Sequence, residues 1–278
     1  MRDILLVIFG IIIALIFIEL LQILIPKFRN DVTEHPYAIA VGDSFTYGTG
    51  VQFEQVWTEV LERKINKKIV NIGSEEYTTT QELQSLNSYI SLKPKVILWG
   101  FFANDYSDEI QLRDTNPLKN TVVYKFARNF LAEKFNVMAS SSVSYTNGSV
   151  DQVFFPQFWK YLFNNTVKGK GLANSNILTA KKLAESNGII FIVLIFPPKE
   201  EIYKEVIKDD ELNYELSYIK DSITTLCKEN KISCIDIAPD LIKNNQIYFR
   251  IDAHFNEKGN SIVADSVYKY LKENNLIN

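Results

Sequence analysis

Tyr37-Ala38-Ile39-Ala40-Val41-Gly42-Asp43-Ser44-Phe45-Thr46-Tyr47-Gly48 is the stretch from which the fold can be read. A short apolar run ends in a glycine and then in a polar turn, the pattern of a strand buried on both faces that runs into a tight strand-to-helix turn. Ser44 stands in that turn, where a hydroxyl is exposed and neighbouring backbone N–H groups can point at an anion. Serine after aspartate at a helix start is also an ordinary cap, so the tripeptide alone leaves both readings open.

The same rhythm repeats downstream. Trp57, Val60, Leu61 and Ile65 fall at helical spacing, and Lys68 to Ile72 reads as a second strand. A helix from about Thr79 to Leu92 stops before Lys93-Pro94, and Val96 to Phe102 is a third buried strand. Gly188 marks a helix end before the apolar run Ile189 to Phe196, which Pro197-Pro198 closes, and Ile232 to Ile237 supplies a fifth strand. Strands alternating with helices pair in parallel, and runs this apolar need cover on both faces. The expected architecture is therefore a three-layer α/β/α, flavodoxin-like parallel sheet of about five strands, with its site at the carboxyl ends of the strands.

Two segments depart from this rhythm. About 105–172 is rich in aromatics, among them Tyr124, Phe126, Phe130, Phe135, Tyr145, Phe154, Phe155, Phe158, Trp159, Tyr161 and Phe163. It is expected to be an insertion leaving the catalytic edge, either a cap with its own core or a lid. At the N-terminus, Ile4 to Ile25 is apolar apart from Glu19 and Gln22, and as helix it would reach about 33 Å, enough to cross a bilayer. The apolar run continues to Pro26-Lys27 without a small-residue cleavage site, so residues 1–29 are expected to be an uncleaved membrane anchor ahead of one domain, 30–278. Arg2 and Asp3 before the run, and Lys27 and Arg29 after it, would by charge count alone put the large domain in the cytoplasm.

Bulk properties exclude some functions. Hydrophobic residues make up 46% of 278, ample for one core, and a net charge of −3 from 30 basic and 33 acidic residues leaves no long basic run for nucleic acid. The only histidines, His35 and His254, lie at opposite ends, and Cys/His pairs at zinc spacing are missing, so no metal or cofactor is expected. Cys227 and Cys234 sit where a helix leads into a strand. A disulfide there would need favourable geometry, and two cysteines fix no compartment.

Near the C-terminus, Asp252-Ala253-His254-Phe255-Asn256 precedes Gly259 and a helical run through Val263, Val267, Tyr268 and Leu271. A serine nucleophile needs a base; His254 can supply it, and an aspartate two residues earlier can orient the ring. Asn104, just after the third strand, places an amide at the edge that carries Ser44, where it can donate to an oxyanion.

In order, Gly42-Asp43-Ser44-Phe45-Thr46-Tyr47-Gly48, the segment from Asn71-Ile72-Gly73, Trp99 to Asp105, and Asp252 to Gly259 resemble the four sequence blocks of the SGNH/GDSL hydrolases. The resemblance implies a Ser44–His254–Asp252 triad without cofactor. It also implies an oxyanion hole of the Ser44 N–H, Asn104 and a block-two residue. That third position falls at Glu76 where the family has glycine, with Gly73 as the alternative; a glutamate there is expected to keep its N–H but to avoid a conformation only glycine tolerates well. The implied function is a membrane-anchored hydrolase of acyl esters, acetyl foremost, of a carbohydrate or lipid, with its domain on the extracytoplasmic side. An O-acyltransferase for an envelope polysaccharide and a silent assembly scaffold are the alternatives.

Overall fold

The computed structural model describes residues 35–107, 143–147 and 150–277. The apolar run Ile4 to Ile25 and the aromatics Tyr124, Phe126, Phe130 and Phe135 lie outside them. Among the described residues no helix is long and apolar enough to cross a membrane.

Five parallel strands form the sheet: β1 (Ala38–Val41), β2 (Ile69–Asn71), β3 (Val96–Phe101), β6 (Ile190–Ile195) and β7 (Ser233–Asp236), in the order β2-β1-β3-β6-β7. The strands fall where the apolar runs put them. β1 and β3 are buried along their whole length, as strands covered on both faces must be. The five main helices are α1 (Trp57–Ile65), α2 (Thr79–Tyr89), α3 (Pro156–Ser186), α4 (Asp210–Glu229) and α5 (Glu257–Glu273). α1 packs on α5, while α3 packs on both α2 and α4, giving the two helical layers. The chain first moves outward from β1 to β2 and then returns past β1 to β3. The loops leaving β1 and β3 therefore diverge at the carboxyl edge and open the crevice where doubly wound sheets hold their ligands.

The described part of the 105–172 segment is continuous with the domain. Its hairpin, β4 (Val143–Asn147) with antiparallel β5 (Val150–Phe154), leads directly into α3. Phe154, Trp159 and Leu162 are buried in the main hydrophobic core, which is why this stretch is so apolar. Cys227 at the end of α4 and Cys234 in β7 form a disulfide with a Cα–Cα distance of 6.3 Å, within the ordinary range.

One packing feature fixes the height of the carboxyl edge. The helical turn Ser44–Tyr47 sits with Thr46, fully buried, against three glycines from three segments: a Cβ on Gly42 or Gly100 would lie 2.3 Å from Thr46 Oγ1, and one on Gly73 would lie 2.8 Å from Thr46 Cγ2. Asn71 Nδ2 donates to the Thr46 carbonyl at 2.7 Å and to Thr58 Oγ1 at 3.1 Å, tying the same turn to β2 and α1. Only hydrogen at those three Cα positions lets the turn sit this close to the sheet.

Gly100→Ala would drive a methyl group into both Thr46 and the Phe196 ring, 2.7 Å away. Overpacking of this kind costs about 1–3 kcal/mol. Urea unfolding of Gly100→Ala is expected to show a loss in that range with an unchanged m-value, and an unaltered midpoint would remove the socket from the account.

Candidate active site

Ser44 opens its turn with Asp43 as cap, whose carboxylate accepts the Phe45 N–H at 2.9 Å. Asp43 is buried, and burial pushes its carboxyl up to about 6, opposed by the Phe45 N–H, the His254 charge and the Asn104 side chain. The Ser44 N–H is a first-turn donor with no acceptor inside its own helix.

Opposite this turn, Tyr248 and Phe255 pair as an antiparallel bridge, and the Phe249 N–H donates to the His254 carbonyl at 3.1 Å. The six residues between the bridge partners form a tight loop that carries both remaining side chains. His254 Nε2 lies 2.7 Å from Ser44 Oγ, and His254 Nδ1 lies 2.5 Å from Asp252 Oδ1, which also accepts the His254 backbone N–H at 2.8 Å. Burial would raise the Asp252 carboxyl. The ring and backbone N–H groups of His254, the imidazole charge and Lys199 together hold it below its ordinary value. An ionised Asp252 fixes the tautomer, with the proton on Nδ1 and the Nε2 lone pair toward Ser44. The two-residue spacing suffices because Asp252 turns back on its own loop to meet both N–H groups of His254.

An aromatic floor joins the segments. The Phe45 ring stacks on Phe102 with centroids 3.9 Å apart and lies 4.9 Å from the His254 ring, 5.0 Å from Phe255 and 6.0 Å from Phe196. Phe45, Phe102 and Phe255 each neighbour a site segment in sequence, so packing the floor aligns the residues above it. Such an arrangement can take the proton of a serine hydroxyl as it attacks an acyl carbon, return it to a leaving group, and stabilise the imidazolium formed between.

The block-two loop corrects two expectations. Gly73 donates its N–H to Asn71 Oδ1 at 2.9 Å, so its role is the close approach to Thr46 and not donation to an oxyanion. Glu76 does not avoid the left-handed region: its φ is +60°, a conformation that glycine adopts most readily. The loop is tied to the end of β1 by the Ser74 N–H donating to the Gly42 carbonyl at 3.1 Å, and this tether holds the turn on which Glu76 lies. The other histidine, His35, lies before β1 and donates its backbone N–H to the Leu92 carbonyl at 3.1 Å.

Sequence reasoning missed the strap over the His254 loop. The Val153 N–H of β5 donates to the Arg250 carbonyl at 2.8 Å, Gln152 Nε2 reaches the Tyr248 carbonyl at 3.3 Å, and Asp151 Oδ2 pairs with Arg250 Nε at 2.8 Å. Beneath the loop lies the buried Lys199. The Pro197-Pro198 pair before Lys199 was the available signal, since it stops β6 and turns the chain under the site.

A family model described as "SGNH hydrolase-like domain, acetyltransferase AlgX" matches residues 170–278, which hold Lys199, Asp252 and His254 but neither Ser44 nor Asn104. No curated protein matches the chain. Among solved structures, a putative lipolytic protein of the G-D-S-L family from Desulfitobacterium hafniense DCB-2 superposes with a TM-score of 0.52 at 15% identity, over 84% of this chain and 97% of its own. An acetyl xylan esterase, AlAXEase, gives a TM-score of 0.52 at 12% identity, over 84% of this chain and 98% of its own. The fold is that of the SGNH/GDSL proteins, as the four sequence blocks implied.

A non-glycine residue at Glu76's φ is strained, and a β-branched one more so. Stability measured by urea midpoint should therefore rank Glu76→Gly at or above wild type and Glu76→Val below it by about 1 kcal/mol or more. Equal midpoints for all three would mean that the loop does not need this conformation.

Proposed function

We propose that this protein is a serine-dependent acyl-ester enzyme, with Ser44 as nucleophile, His254 as general base and then acid, and Asp252 as the group that orients the ring. The observation that carries the reading is the unbroken contact Ser44–His254–Asp252 on a rigid aromatic floor. Attack by Ser44 Oγ forms a tetrahedral oxyanion; the Ser44 N–H, the Asn104 amide and the Glu76 N–H are the donors assigned to it. Collapse expels the alcohol, protonated by His254, and leaves an acyl-enzyme that water or another hydroxyl resolves.

Acetyl esters of a carbohydrate are the proposed substrates, in keeping with the acetyl xylan esterase among the similar folds. O-Acetyl transfer to a sugar hydroxyl is the second reading, favoured by the acetyltransferase description of the model matching 170–278. We further place the domain on the extracytoplasmic side of a membrane, anchored by Ile4 to Ile25. The Cys227–Cys234 pairing supports this reading, because disulfides persist in oxidising compartments.

Ser44→Ala and His254→Ala should each lower turnover of a small activated acetyl ester by at least about 10³-fold with the thermal midpoint retained, because nucleophile and base act as one unit. Either variant within tenfold of wild type would refute the mechanism. With an oligosaccharide acceptor present, acetylated sugar detected by mass spectrometry selects transfer, and free acetate alone selects hydrolysis.

For the anchor, the full chain is expected to stay in the membrane fraction through alkaline carbonate, and its cysteines to resist alkylation in intact cells until a reductant is added. Release by carbonate would rule out the spanning segment.

A further inference from the structure

Lys199 is 0% exposed, yet it carries an ammonium whose four oxygen neighbours are all uncharged. Its Nζ lies 2.9 Å from the Asp252 carbonyl, 3.3 Å from those of Phe249 and Arg250, and 3.4 Å from Gln152 Oε1. Three of these are backbone carbonyls of the loop that bears Asp252 and His254; the fourth belongs to β5, which straps the same loop from the other side. A charge buried so deeply is costly unless its donors are satisfied, so its presence demands an arrangement that converges on it.

We propose that Lys199 is a positioning residue for the catalytic dyad: it gathers the carbonyls of Phe249, Arg250 and Asp252 and thereby aims the Asp252 carboxylate at both N–H groups of His254. The inference rests on the triad reading given above. Without the ammonium, the Phe249 and Asp252 carbonyls would lose the Lys199 donor and the Arg250 carbonyl would keep only the Val153 N–H, and repulsion among the three would open the loop at the point where Asp252 must turn back toward the ring.

The surroundings fit an ammonium better than other groups. A guanidinium is planar and larger, and cannot place donors at converging carbonyls around one point. Burial lowers the Lys199 pKa to about 8, while the charges of Glu200 and Asp252 pull it back up. The remaining charged groups at the loop, Arg250 and Asp151, pair with each other at the surface. Glu200 is itself engaged, its Oε1 accepting the Phe155 N–H at 3.1 Å where β5 passes into α3. Lys199 and Glu200 thus hold the loop and its strap from neighbouring positions.

The test needs a readout beyond activity, and the two-histidine sequence provides one. In ¹⁵N-histidine-labelled protein, the His254 ring N–H that donates to Asp252 should give a downfield proton resonance, assigned by its loss in Asp252→Ala and its persistence in His35→Gln. In Lys199→Met, which keeps the bulk, and in Lys199→Gln, which keeps two donors and serves if the first variant does not fold, that resonance is expected to disappear while the remaining amide spectrum stays native.

Turnover should fall on the order of 10²-fold with KM within about threefold, the signature of a displaced catalytic group, and Lys199→Arg should not restore it. In an Asp252→Ala background the same substitution should cost less than about threefold, because the group it positions is already gone. A folded variant that keeps the His254 resonance, or one that loses as much turnover with Asp252 absent as with it present, overturns the proposal. If wild type turns over no ester, the esterase reading fails, and the resonance still decides the role of Lys199.

Discussion

The hydrogen bond between Ser44 Oγ and His254 Nε2 joins residues 210 apart in the chain, and the rest of the structure serves to hold its ends 2.7 Å apart. Neither end is fixed locally. Ser44 is set by the seat of Thr46 on three glycines and by the Asn71 side chain, whereas His254 is set by a loop clamped between β5 and Lys199. Between them the Phe45 floor makes the two supports one body: a shift of either segment would have to unstack aromatic rings worth about 0.5–1.5 kcal/mol per pair beyond their burial.

This division of labour explains where the structure spends polar groups in its interior. Asn71, Asp43, Lys199 and Glu200 are all nearly or fully buried; the first three contact segments that carry site residues, and Glu200 holds the end of the β5 strap. Apolar packing alone is tolerant of small slips, since its energy is non-directional. Hydrogen bonds in a dry interior are not, and they are placed where an ångström would matter to proton transfer.

Much of this was legible in the sequence because it is written in short-range patterns. The strand runs Tyr37 to Val41 and Val96 to Phe102 need cover on both faces, which fixes a parallel sheet, and a parallel sheet fixes the carboxyl edge on which Ser44 and Asn104 emerge. Asp252 and His254 were readable as a pair because they are neighbours. What stayed hidden depends on contacts between distant segments. Lysine is a surface residue in any local reading, and beyond the chain turn that Pro197-Pro198 marks, nothing near Lys199 foretells carbonyls arriving from residues fifty positions away. Val150 to Phe154 is too short and too polar to declare itself a strand, and Phe154 and Trp159 read as a cap's core when they belong to the main one. Glu76 ran against expectation for a physical reason: tethering of the loop to Gly42 outweighs the strain of a left-handed glutamate.

The central claim is that Ser44 is a nucleophile made reactive by His254. The most direct measurement is to treat the protein with a fluorophosphonate and map the adduct by peptide mass spectrometry. A single phosphonylated residue, Ser44, is expected, formed rapidly in wild type and abolished in His254→Ala. An adduct on another hydroxyl, or labelling of Ser44 that is indifferent to the loss of His254, would contradict it.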